Sequence, residues 1–238
     1  MNKRWAVLLV VVVVLAGGVC CTLRGHAEET APAAPAAPAA PAISLPAADL
    51  THPMTLETAL KQRRSVRKFA DAPITLAQAS SLLWAAQGIT EPNKGLRTAP
   101  SAMAQYPLRL YLFAGKVSDL PAGVYQYVPK GHQLQLVLAG DQRTNIGTQP
   151  QMTTAPAVLV YTYDTTVFKR ATPEMGQAFA DLEAGHSAQN VLLEEVALGL
   201  VGVPMGGFDA AKLKAALKLP DTEVPLYAVS AGARVASP

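Results

Sequence analysis

The sequence predicts an α+β domain in which helices surround a mixed central sheet, with one long helix running through the middle. Three observations carry this expectation. Four short β-rich runs fall between residues 108 and 163, helical patterns precede and follow them, and one long helical pattern extends from about Pro173 to Leu198.

The elements follow in order. Leu56, Ala59 and Leu60 predict a short helix from Met54 to Gln62, ending in the basic tract Arg63-Arg64-Ser65-Val66-Arg67-Lys68. Thr75 and Gln78 have the spacing of a capping box ahead of Leu76, Leu82, Leu83 and Ala86, and Gly88 is placed to stop that second helix. Extended runs are expected at Leu108 to Phe113, Gly123 to Val128, Leu134 to Leu138 and Val158 to Tyr163. In the long helix, Phe179, Leu182, His186, Gln189, Leu193 and Val196 fall on one stripe at helical spacing, which predicts a central buried helix. The glycines and proline from Gly199 to Gly207 break it, Asp209 caps a short helix through Leu217, and Leu226 to Ser230 reads as a final strand.

The first fifty residues are not globular in character. Lys3 and Arg4 precede an apolar run from Trp5 to Cys21, the order of a secretory signal. Residues 1–27 are read as a signal peptide cleaved after Ala27, or as an uncleaved anchor, because the run approaches the roughly 20 residues that span a bilayer. Lipidation at Cys20 is a third reading. The chain is therefore expected outside the cytoplasm, touching a membrane only through this segment. Residues 28–49 form an Ala/Pro-rich linker in which Pro32, Pro35, Pro38 and Pro41 favour extended polyproline II. Residues 50–238 are expected to make one folded domain.

Composition narrows the chemistry. Beyond Ala27 the chain carries 17 basic and 17 acidic residues, so no general attraction to nucleic acid is expected. Both cysteines, Cys20 and Cys21, precede the domain, and the four histidines have no metal-ligand spacing. A thiolate nucleophile, a disulfide and a histidine-built metal site are thus unsupported, and any redox chemistry must come from a cofactor.

The Arg63 to Lys68 tract sets four cations and a hydroxyl within six residues. By itself it suits either a solvated charged face or a phosphate site. With it come Leu83-Trp84-Ala85-Ala86-Gln87-Gly88, then Pro100-Ser101-Ala102 followed by Tyr106-Pro107, then Val203-Pro204-Met205-Gly206-Gly207-Phe208. In this order the segments resemble the nitroreductase-like FMN flavoproteins, most of all the branch similar to the SagB-type dehydrogenases, over roughly residues 55 to 232.

The resemblance implies that Arg63, Ser65 and Arg67 hold the phosphate and ribityl chain of FMN, with Arg64 adding a contact. It implies that Pro100, Ser101 and Ala102, with Gln105 close by, reach the flavin of a partner subunit, so that a homodimer completes the site. Pro204, Gly206 and Gly207 match the segment beside the flavin N5 and O4; many relatives have Glu where this chain has Gly206. Arg234 matches a late phosphate contact. Without the resemblance, the Pro-Ser segment reads as a turn into a strand and the two glycines as a helix-to-strand turn. Gln189 and Asn190 are read as structural. No side chain is assigned as an acid or base. The implied activity is transfer of hydride or electrons from NADH or NADPH through FMN to a small organic acceptor. The alternatives are a SagB-like dehydrogenase or oxidase of a peptide or heterocycle, and a non-catalytic flavin-binding module in a secreted complex.

Overall fold

The computed structural model describes residues 42–147 and 149–236. The leader and most of the Ala/Pro spacer lie outside the described residues. Among the described residues, no helix is long and apolar enough to cross a membrane.

Strand pairing begins ahead of the boundary expected at residue 50. β1 (Ile43–Ser44) pairs antiparallel with β6 (Gln133–Ala139), Ile43 lying opposite Leu134, and Leu45 is buried in the core. The apolar side chains of Ile43 and Leu45, which follow the last Ala-Pro unit, gain burial by covering this sheet edge. β5 (Gly123–Val128), β4 (Leu108–Ala114), β7 (Ala157–Asp164), β9 (Glu223–Ala233) and β8 (Leu200–Met205) complete a seven-stranded sheet in the order β1-β6-β5-β4-β7-β9-β8.

Every ladder in that sheet is antiparallel. Parallel pairing enters at isolated bridges, one of them Ser65 to Gly202, so the mixed character expected of the sheet is confined to its margins. Short connections between sequential strands favour antiparallel neighbours, which explains the pattern at β4, β5 and β6. A two-stranded ribbon of β2 (Ile89–Glu91) and β3 (Leu96–Arg97) stands apart from the main sheet.

Alternation along the strands builds two cores. Leu110, Leu112, Leu159 and Tyr161 face α2 (Leu76–Gln87) and α4 (Pro173–Ala197). Tyr111, Phe113, Val158 and Val160 face the other way, with Met152 of α3 (Pro150–Thr154) and Leu213 of α5 (Ala210–Leu217). The expected capping box of α2 is present, Thr75 and Gln78 each bonding the other's backbone. Gly88 ends the helix in an extended rather than a left-handed conformation, and glycine is required by close approach: a β-carbon there would stand 2.3 Å from Trp84 Cδ1.

The expected face of α4 is reversed. Its buried side is the small-residue stripe Ala180, Ala184, Ser187, Ala188 and Val191, together with Glu183 and Glu195. Phe179, His186, Gln189, Leu193 and Val196 lie at the margin or outside, and Leu182 is 62% exposed. Small residues let the helix axis approach the sheet closely, leaving the larger apolar side chains outward. β8 carries no clear strand signal in the sequence, because Gly202 and Pro204 interrupt its β-rich pattern; as the last in the sheet it tolerates a proline.

Candidate functional site

α1 (Leu56–Gln62) is N-capped by Thr55 and ends at Arg63, whose N–H donates to the Ala59 carbonyl at 2.9 Å. The chain then turns extended. Ser65 bridges Gly202, the Val66 N–H donates to the Gly202 carbonyl at 2.9 Å, Phe69 bridges Arg234, and the Ala70 N–H donates to Ala233 at 3.0 Å. The basic tract is thereby pinned along the free edge of β8 and across the end of β9. This brings Arg63, Arg64, Ser65, Arg67 and Arg234 to one margin of the sheet.

Arg64, Ser65, Arg67 and Arg234 are exposed and Arg63 is half-buried. Among the described residues no carboxylate forms an ion pair with any of these arginines or with Lys68. Arg64 Nη1 donates to the Arg63 carbonyl at 2.8 Å. A cluster of uncompensated guanidinium groups beside a hydroxyl suits a multiply charged oxyanion, because each guanidinium can offer two parallel N–H donors.

Beneath the tract lies a carboxyl group that the sequence reading missed. Glu195 is 2% exposed, and its Oε1 has no hydrogen-bond partner. Burial pushes its pKa well above the ordinary carboxylate value, and Arg63 opposes the shift only in part. The signal was present in the helical phase: Glu183 and Glu195 share the face of Ala180, Ala184 and Ala188.

Pro204 sits on β8 opposite Val229. Just past the end of β8, Gly206 and Gly207 are exposed, and Gln149 Nε2 donates to the Gly207 carbonyl. Gly202, which anchors the tract, and Gly206 are four residues apart along one edge strand, roughly 13 Å at about 3.3 Å per residue. The edge therefore carries a cationic patch at one end and accessible main chain at the other.

Pro100, Ser101, Ala102 and Gln105 are elsewhere. Their loop rests on α4: a cavity of about 250 Å³ is lined by Pro100, Ser101, Ala102, Phe179, Leu182 and Glu183, with His186 at its rim. Gln105 bonds within its own loop, Nε2 donating to the Met103 carbonyl at 3.2 Å. The cavities that touch this loop are lined by α4 and by residues 167–170, not by the arginine tract. Asn190 Nδ2 donates to the Thr98 carbonyl at 3.2 Å, a structural tie between α4 and the segment that follows the ribbon.

The sheet is thus antiparallel, covered on both faces, and carries a cationic edge that ends in an open glycine pair. Residues 60–233 match the nitroreductase family, and the chain belongs to that family of oxidoreductases. It is 34% identical over 184 residues to a nitroreductase-family protein of Methanocaldococcus jannaschii, covering 76% of this chain and 91% of the relative. A crystal structure of a nitroreductase-family protein from Ralstonia eutropha superposes with a TM-score of 0.75 at 32% identity, over 82% of this chain and 90% of that one. The fold also matches a chain of the Escherichia coli microcin synthetase McbBCD complex, at a TM-score of 0.61 and 21% identity, over 75% of this chain and 73% of that one.

Proposed function

We propose that this chain is an FMN-dependent oxidoreductase, working as a homodimer, that takes reducing equivalents from NADH or NADPH and passes them to a small organic acceptor. The observation that carries the reading is the set of arginines without carboxylate partners, pinned to an edge strand that ends in Gly206-Gly207. Those residues fit the group. Arg63, Arg64, Ser65 and Arg67 would hold the phosphate and ribityl chain, with Arg234 beside them, and the main chain after Pro204 would run along the ring. FMN, when bound, supplies the ring that accepts and returns a hydride. A main-chain N–H at Gly206 or Gly207 would stabilise charge arriving on that ring.

The reversed face of α4 supports a dimer. Phe179, Leu182 and Met175 leave an apolar stripe uncovered beside the Pro100–Gln105 loop. Docking a second copy there buries the stripe and lets each loop reach the arginine tract of the other subunit. The leader sends the dimer out of the cytoplasm, either free after cleavage or held by an anchor on the proline-rich spacer.

The likeness to the McbBCD chain, a complex whose structure holds a bound truncated precursor of microcin B17, favours a second reading, oxidation of a peptide or heterocycle by the same flavin.

An absorbance spectrum of the purified protein, followed by anaerobic addition of NADH and then NADPH, tests the reading. Flavin bands that bleach with either donor are expected. The double variant Arg63→Ala/Arg67→Ala should bind FMN about a hundredfold or more weakly, at roughly tenfold or more per lost charge-assisted contact, while keeping its fold. A protein that takes up no FMN when the cofactor is supplied would overturn it.

A further inference from the structure

The loop from Pro100 to Tyr106 holds an uncommon concentration of backbone strain. Met103, Ala104 and Tyr106 have φ values of 54°, 52° and 49°, three non-glycine residues in the left-handed region within four positions. Such a conformation persists only where its surroundings impose it.

The surroundings are a polar cluster. The Tyr106 N–H donates to Ser101 Oγ at 2.8 Å, closing the loop on itself. The guanidinium of Arg97 lies 4.6 Å from the centre of the Tyr106 ring, and the Arg97 N–H donates to the Tyr106 hydroxyl at 3.2 Å. Arg97 Nη1 in turn donates to Gln87 Oε1 at 2.7 Å. At the centre stands Glu183, 1% exposed, with the side chains of Ser101 and Gln87 beside it. Neither of its carboxyl oxygens, nor Gln87 Nε2, has a hydrogen-bond partner of ordinary geometry in the single chain.

The Ser101 hydroxyl accepts from Tyr106, so its own proton is free to donate, and Glu183 is the buried acceptor it faces. We propose that Glu183 is the positioning residue of this loop, fixing through Ser101 the segment that one subunit presents to the flavin of the other. The inference rests on the flavin reading for its purpose and on the cluster for its geometry. Docking of the second subunit presses the loop onto α4 and closes the Ser101–Glu183 hydrogen bond. Glu183 then acts at the flavin without touching it. Arg97 and Gln87 hold the far side of the same cluster, and the cost of leaving a buried carboxyl unpaired drives the bond to form.

Two measurements on the full dimeric chain test this. The first uses cofactor-free protein: hydrogen exchange at the Tyr106 amide should quicken about tenfold in Glu183→Ala and stay near wild type in Glu183→Gln, whose amide oxygen still accepts from Ser101. The second is FMN affinity by flavin fluorescence. Glu183→Ala should weaken it about tenfold, Glu183→Gln should restore most of the loss, and Glu183→Ala/Ser101→Ala should bind no more weakly than Glu183→Ala. Unchanged Tyr106 exchange in Glu183→Ala, additive losses in the double variant, or failure of Glu183→Gln to rescue would each overturn the inference. Wild-type protein that takes up no FMN overturns the flavin reading instead, and the exchange measurement keeps the two failures apart.

Discussion

The carboxyl group of Glu195 lies against the α-carbon of Gly202: a β-carbon there would stand 2.4 Å from Oε1, 2.5 Å from Oε2 and 1.9 Å from the Ser230 carbonyl oxygen. Gly202 also receives the Val66 N–H that pins the arginine tract. Gly202→Ala should therefore destabilise the fold by about 1–3 kcal/mol, as overpacked core sites do, and weaken FMN binding by displacing the tract. Gly206→Ala is the control for stability, since its β-carbon would meet nothing closer than the Tyr227 ring at 3.8 Å. Urea unfolding of both variants checks the contrast, and flavin fluorescence of Gly202→Ala checks the displacement of the tract; equal losses of stability would show that Gly202 has no special place.

Glu195 itself gives the fold a pH dependence. Its folded pKa is raised above the ordinary 4.5 by burial, so its neutral form favours folding below about pH 4.5. That contribution is lost as pH rises through the folded value. Glu195→Gln keeps the shape and removes the titration. The variant should match the wild type near pH 4.5 and exceed it increasingly at higher pH, by about 1–3 kcal/mol once the wild-type carboxyl is forced to ionise. Parallel stability curves for the two proteins from pH 4.5 to 9 would rule this out.

The α4 stripe shows what the sequence could and could not reveal. Its length and its start at Pro173 were legible because they depend on local spacing and on proline's place in a first helical turn. Its orientation was not, because hydrophobic periodicity marks a buried face without saying which molecule buries it. Phe179 and Leu182 read as core, whereas the core is lined by Ala180, Ala184 and Ala188. The site divides in the same way. The arginines and glycines announce themselves as motifs, but their meeting on β8 depends on the Ser65–Gly202 bridge, a pairing 137 positions apart in the chain. Glu183 and Arg97 carry no motif; only the folded loop shows that they meet.

The uncovered stripe makes the assembly testable. Leu182 is 62% exposed and Met175 50%, and a charge at the centre of a docked apolar face is costly to desolvate. Leu182→Glu should convert a dimer to a monomer at micromolar concentration, read by light scattering after size exclusion, with little change in the unfolding midpoint extrapolated to a single chain. If Pro100–Gln105 completes the site of a second subunit, the same variant should lose FMN affinity although Leu182 touches none of the arginines. Retention of both dimer and affinity would place the interface on another face.

His132 ties the first strand to the body of the domain. Its Nδ1 lies 2.8 Å from the Tyr127 hydroxyl, and its Nε2 lies 2.7 Å from Ser80 Oγ and 3.0 Å from the Pro46 carbonyl. In the neutral ring with the proton on Nε2, Nδ1 accepts from Tyr127 while Nε2 donates to Pro46; a second proton on Nδ1 removes the acceptor. Burial lowers the His132 pKa below 6.5, opposed in part by the Pro46 bond. The tie is accordingly at full strength above about pH 6.5 and is lost as pH falls through the depressed folded value. Acidification from pH 7.5 to 5 should quicken hydrogen exchange at the Leu45 amide, which donates to the His132 carbonyl at 3.1 Å, once the intrinsic pH dependence of exchange is removed. His132→Gln should abolish most of that acid response. Exchange at Leu45 that stays constant across the range in the wild type would mean that β1 is held by its sheet pairing and the burial of Leu45 alone.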